Sequence, residues 1–192
     1  SGRLSTQTAG PRDLQALAKS LQVLPLILES LQPVQSLLLA TGREVFQGAT
    51  SLVDLAADIQ RTLVADPPLV ISEGGLIASG VSAELDELRS AVQDVKSWIA
   101  QFEADEKERT GIKSLKIGFN NVFGYYIEVT KSNLAQVPVE YIRKQTMSTG
   151  ERYITEALKE RETYLLKASE QTQRIELEMF TQLRARAGAE VD

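Results

Sequence analysis

The sequence predicts a mainly α protein carrying a small β-rich insert, on three observations. Apolar residues recur at steps of three and four through most of the chain, the spacing that gives a helix one buried face. A period of two is confined to a single stretch, residues 112–153, and that stretch also differs from the rest in charge. The implied order is a helical core, a long helix, the insert, and a second long helix that returns antiparallel to pack on the first.

The elements follow in turn. From Pro11 to Leu31 the positions Leu14, Leu17, Leu21, Leu24 and Leu28 mark one buried stripe. Pro11 suits a first helical position, where its missing donor would be unpaired anyway; Pro25, inside the run, removes a hydrogen bond and must kink or divide the helix. Thr50 is placed to cap another helix with the buried face Leu52, Leu55, Ile59 and Leu63, closed by Asp66-Pro67-Pro68. Ser72-Glu73-Gly74-Gly75 and Ser79-Gly80 flank a short apolar piece that reads as a loop or a crossing strand.

Ser82 then opens a long helix, with Glu84, Asp86 and Glu87 at its positive end and Lys107, Arg109 and Gly111 at the other. Its seam, Leu85, Leu88, Val92, Val95, Ile99 and Phe102, is made for packing along another helix. The partner is Ile154, Leu158, Leu165, Ala168, Thr172, Ile175, Met179 and Leu183, with Arg161 the charged exception. Between the two, Leu115, Ile117 and Phe119 alternate with Lys116 and Gly118, and Tyr125, Ile127 and Val129 alternate with Tyr126, Glu128 and Thr130, as half-buried strands do. Asn120-Asn121-Val122-Phe123-Gly124 is the turn between them, and the stretch from Val139 to Tyr153, broken at Ser148-Thr149-Gly150, adds a second hairpin.

Composition narrows function. A chain of 192 residues, 43% hydrophobic and 24% charged, suits one or two ordinary domains. It opens Ser1-Gly2-Arg3-Leu4, which reads as an excision point in something longer. No run approaches the roughly 18 uncharged apolar residues of a membrane span. With no Cys and no His, thiol nucleophiles, thiolate or imidazole metal sites and the commonest general base are excluded. Neither a Gly-x-x-x-x-Gly-Lys-Ser/Thr phosphate loop nor a Gly-x-Gly-x-x-Gly turn is present, so the chain is not expected to be an enzyme. Glu103, Asp105, Glu106 and Glu108 look like a cation site but read as a solvated helix face.

The insert carries six cations (Lys113, Lys116, Lys131, Arg143, Lys144, Arg152) against three acids (Glu128, Glu140, Glu151), in a chain whose net charge is −5. A cationic insert on an acidic remainder points to an anionic partner, and Asn, Ser and Thr in its turns can hydrogen-bond phosphate without reading sequence. Protein contact, or simple protection of an exposed strand edge, remains an alternative for the same charges. Phe119, Phe123, Tyr125 and Tyr126 are either the core of a small sheet or stacking platforms, the first being the more economical; Trp98, beside the seam, reads as packing.

The run Leu115-Lys116-Ile117-Gly118-Phe119-Asn120-Asn121-Val122-Phe123-Gly124-Tyr125-Tyr126-Ile127-Glu128-Val129 resembles the clamp sequence of bacterial MutS proteins. Tyr141-Ile142-Arg143-Lys144-Gln145-Thr146, Glu151-Arg152-Tyr153-Ile154 and Glu156-Ala157-Leu158-Lys159 follow at similar spacing. Upstream, Pro11-Arg12-Asp13-Leu14, Gly74-Gly75-Leu76-Ile77-Ala78-Ser79-Gly80 and Glu84-Leu85-Asp86-Glu87-Leu88 resemble the core or lever of that family, so the likeness runs from about Arg3 to the last helix. It implies a helical core/lever region over 1–111, a β-rich clamp over 112–154, and a returning lever helix over 155–192 packing on 82–110.

The family implies a dimeric mismatch repair protein that surrounds DNA, senses a mismatch with one domain and signals through an ATPase domain. This chain has no Phe-x-Glu mismatch wedge and no nucleotide loop. By resemblance it holds the lever and the clamp, grips duplex backbone non-specifically, and relays that engagement to an ATPase domain elsewhere. The alternative is a coiled-coil-like arm for protein contacts. Implied backbone contacts are Asn120 and Asn121 in the first turn and Lys144, Ser148, Thr149 and Gly150 in the second hairpin, with Lys131 adding charge. Ser148 and Thr149 stand where some relatives have Lys and Asn, which weakens local charge. The implied partners are double-stranded DNA, the remaining domains and a second MutS protomer, with no membrane. The chain itself needs no cofactor, ATP and Mg belonging to the full-length parent, and the expected place is the bacterial cytoplasm beside the nucleoid.

Overall fold

The structure, a computed structural model, describes residues 2–31 and 50–191. Helices α1 (Gly2–Ser5), α2 (Pro11–Leu21), α3 (Leu24–Leu31), α4 (Thr50–Thr62) and α5 (Ala83–Thr110) precede strands β1 (Lys116–Asn120), β2 (Gly124–Thr130), β3 (Ile142–Thr146) and β4 (Gly150–Ile154), and α6 (Glu156–Val191) closes the chain. The protein is thus mainly α with a small antiparallel sheet. It divides into two compact units, Ser1–Asp86 with Thr172–Asp192, and Glu87–Gln171.

The first unit is built on aliphatic packing. Gly10 N–H donates to Asp13 Oδ2 at 2.8 Å, starting α2 with Pro11 in its first turn. The helix divides at Gln22 and Val23, so Pro25 falls in the first turn of α3, where its missing N–H costs nothing. Leu14, Ala18, Leu55, Ala56, Ile59 and Leu63 are buried, with Leu17, Leu21 and Leu52 packed against them. Two expectations, the place of Leu28 in the stripe and the Thr50 cap, concern side chains outside the described residues. The glycine-rich segment is indeed a crossing: Val64 N–H donates to Leu76 O at 3.0 Å and Ala78 N–H to Thr62 O at 2.8 Å, a single antiparallel bridge around Leu63 and Ile77.

Gly74 and Gly75 both adopt φ +71, the left-handed region, to make that crossing. The buried Glu176 accepts the Gly75 N–H at 2.7 Å. Buried Gln15 likewise donates to Val64 O at 2.9 Å. On α6 the fully buried residue is Phe180, with Leu183 and Ala187, while Met179 and Ile175 are only partly covered. The face of α6 in this unit is therefore rotated from the expected seam.

In the second unit α5 and α6 share one core with the sheet. Ser82 Oγ, just ahead of α5, accepts Leu85 N–H at 3.3 Å. Gly111, at φ +72, ends the helix. Val95, Ile99, Leu158 and Leu165 of the anticipated seams join Ile112, Leu115, Ile127, Val129, Tyr141 and Tyr153. The strand order is β1-β2-β4-β3, with Ile117 opposite Ile127 and Ile127 opposite Tyr153. Trp98 stacks on Phe102 at 4.7 Å beneath Arg161, a packing position. Phe119, expected on the covered face, is 52% exposed, touching Tyr125 edge-on at 5.0 Å, whereas Tyr126 on the other face is buried over Gly118 and beneath Arg152.

Candidate functional site

The register decides which polar residues can act together. β4 runs against β2 with Thr130 opposite Gly150 and Ile127 opposite Tyr153. The first turn, Asn121–Phe123, therefore lies at the Gly124 end of β2, and the second, Met147–Thr149, at its Thr130 end. β2 is seven residues long, so its ends lie about 20 Å apart at roughly 3.3 Å per residue. The expected contacts thus fall into two groups.

At the Thr130 end, Lys131 N–H donates to Thr149 O at 3.1 Å, joining Lys131 to Ser148, Thr149 and Gly150. Met147 N–H closes the turn on Gly150 O at 2.8 Å. A Cβ at Gly150 would lie 2.1 Å from Val129 O, so this glycine is there to let two backbones approach. Beside it is a cluster that sequence reading missed: Asn133 Nδ2 donates to Ser114 Oγ at 2.8 Å and Thr130 Oγ1 at 3.1 Å, and Thr130 Oγ1 lies 3.3 Å from Ser132 Oγ. Lys113 and Lys131 flank these groups in sequence and are exposed. Only the pairing of strands reveals that Ser114 and Thr130, sixteen residues apart, are neighbours.

At the Gly124 end, Asn120 Oδ1 accepts the amides of Val122 at 2.9 Å and Phe123 at 3.0 Å. Its oxygen shapes the turn, leaving the exposed Asn121 at the tip. Lys144 is the extra residue of a bulge in β3, between Arg143 opposite Tyr153 and Gln145 opposite Arg152. It lines a cleft of about 260 Å³ with Phe123, Tyr125 and Glu162.

Ion pairing sorts the charges further. Arg143 meets Glu151 at 3.2 Å, Arg152 meets Glu128 at 3.0 Å, and Glu140 meets Arg109 at 2.8 Å. The three acids of the insert are thereby matched by arginines. Among the described residues, Lys113, Lys131 and Lys144 enter no ion pair, so the positive excess of residues 112–153 resides on lysines.

The acidic face of α5 corrects an expectation. Asp105 and Glu108 are exposed, as a solvated face requires, but Glu103 and Glu106 turn toward the sheet. Glu103 accepts Ile117 N–H at 2.8 Å and Lys107 Nζ at 2.5 Å; the amide first, then the ammonium, hold its carboxyl below the usual range. Glu106, 8% exposed, accepts from Tyr141 O–H and from Arg109. Tyr153 donates to Glu151, and burial together with that carboxylate pushes its hydroxyl up to about 12. No signal in the α5 sequence separates Glu103 and Glu106 from their solvated neighbours, because the groups that draw them inward, Ile117 N–H and the Tyr141 hydroxyl, come from later in the chain.

Residues 80–171 match MutS family domain IV. Nearly the whole chain is similar to proteins called DNA mismatch repair protein MutS: 48% identical over 98% of the chain in Methanothrix thermoacetophila, 48% over 95% in Halothermothrix orenii, and 47% over 99% in Symbiobacterium thermophilum. The chain spans about a fifth of the length of these curated relatives, 22%, 20% and 21% respectively.

Proposed function

Since the chain belongs to the MutS family, we propose that its second unit grips the backbone of duplex DNA without reading sequence, as part of a mismatch repair protein. The observation that carries this reading is the sorting of charge: arginines are engaged with carboxylates, while Lys113, Lys131 and Lys144 are left for an anionic partner. Lysine ammonium groups with nearby hydroxyls and amides suit phosphate. Lys131, Ser148, Thr149 and Gly150 supply one contact and Asn120, Asn121 and Lys144 another. The missed residues Lys113, Ser114, Ser132 and Asn133 extend the first.

In the longer protein, α5 and α6 carry this engagement to an ATPase domain, and a second protomer completes the grip. ATP and Mg are assigned to that domain; among the described residues no group of three or more His, Cys, Asp or Glu side chains is placed to hold a metal ion. No described helix is long and apolar enough to cross a membrane, and the setting we assign is the cytoplasm, beside the chromosome.

Fluorescence anisotropy with a homoduplex and a mismatched duplex, across a salt series, tests the grip. Binding should weaken with salt, ignore the mismatch, and drop in Lys131→Glu and Lys144→Glu, while Lys131→Ala and Lys144→Ala should each lower the salt slope by about one. Salt-insensitive affinity, or none at low salt, sinks the reading. For the relay, Ile99→Asp in a full-length protein should uncouple ATP turnover from DNA, and unchanged coupling refutes it.

A further inference from the structure

Glu162 on α6 meets the sheet where backbone is otherwise open. β4 pairs with β2 only from Ile127 to Thr130, so Tyr125 lies beyond its reach. There Tyr125 N–H donates to Glu162 Oε1 at 3.3 Å. The preceding residue, Gly124, has φ +78, and a Cβ on it would fall 1.6 Å from the same oxygen. The carboxylate is therefore seated on bare backbone at the foot of the first turn, a place only glycine leaves vacant. Phe123, Tyr125, Ile154 and Leu166 wall the cleft around it, and Lys144 and Lys159 are the charged groups that face it. Burial pushes the Glu162 carboxyl upward, against the pull of the Tyr125 amide.

We propose that Glu162 is a positioning residue: by gripping the Gly124-Tyr125 backbone it fixes the turn that presents Asn121 to DNA. This rests on the reading of the second unit as a DNA grip. An acid beside a DNA-contacting surface is on charge alone unfavourable, so the two roles available to it, holding the turn and repelling phosphate, predict opposite outcomes. Glutamine keeps the accepting oxygen and removes the charge; alanine removes both.

The test measures duplex affinity at several salt concentrations, and amide hydrogen exchange at Val122, Phe123 and Tyr125, in the wild type, Glu162→Ala, Glu162→Gln and Gly124→Ala. Expected are faster exchange and a loss of about fivefold in affinity, the equivalent of one hydrogen bond, in Glu162→Ala and Gly124→Ala. Glu162→Gln should stay near wild type, and the salt slope should not move, because no ammonium that meets phosphate is removed. Tighter binding in both Glu162 variants would make the carboxylate a repelling charge and overturn the proposal, as would unchanged exchange in Glu162→Ala. If the wild type binds no duplex while exchange responds as expected, the hold on the turn stands and the DNA reading falls.

Discussion

The two units solve the same problem by different means. In the first, Leu14, Leu55, Ile59, Leu63, Leu76, Ile77 and Leu85 surround Phe180, and the buried polar groups Gln15 and Glu176 are spent on backbone at one crossing. In the second, a small sheet has amides and tyrosine hydroxyls at its margins, and carboxylates from both helices come to meet them: Glu103 at Ile117, Glu106 at Tyr141 and Glu162 at Tyr125. Packed helices satisfy their own backbone, so apolar area suffices. Strand margins need partners from outside the sheet, and each partner also fixes direction.

The contrast can be broken most strongly from the first unit. Phe180→Ala, at a fully buried position, should cost about 3–5 kcal/mol in urea denaturation, while duplex affinity measured well below the transition stays the same; a coupled loss of affinity would mean that the units are not separable in function. Next comes Gly150→Ala in the second unit. Its Cβ would press on Val129 O, which is backbone and cannot swing aside, so a loss of about 1–3 kcal/mol is expected, this time with weaker DNA binding. Stability and affinity falling together at Gly150, but apart at Phe180, is the signature.

The smallest effect is a pH dependence that sharpens the difference. Glu103 is held below its ordinary value of 4.5 in the folded state, so its contribution to stability is complete above that value and is lost as pH falls through the lowered one. Urea midpoints between pH 7 and pH 3 should therefore fall less steeply in Glu103→Gln than in the wild type. An identical slope would show that the charge on Glu103 contributes no net stability.

Local patterning made much of this legible. The Ser82 start, the Gly111 end, both hairpins and the divided first helix follow from residues acting on their immediate neighbours, which is why spacing and caps located them. Phe180, by contrast, takes the fully buried place on α6 and leaves Met179 partly buried against the same core, because burial of α6 in the first unit is decided by which elements surround it. The candidate contacts were separated for a similar reason: Asn121 and Ser148 are both turn residues in sequence, and only the pairing of β2 with β4 sets them at opposite ends of one strand. Ser114, Ser132 and Asn133 were invisible until Thr130 was placed between them.

The division of labour between arginine and lysine has a kinetic meaning. A guanidinium fork locks two bonds onto one phosphate, whereas an ammonium on a flexible stem passes from one oxygen to the next with little change in energy. Here the forks at 109, 143 and 152 are committed to the protein's own carboxylates. On the proposed reading, a duplex held by the remaining ammonium groups would meet low friction along its axis, so attachment to the strand and travel along it need not oppose each other.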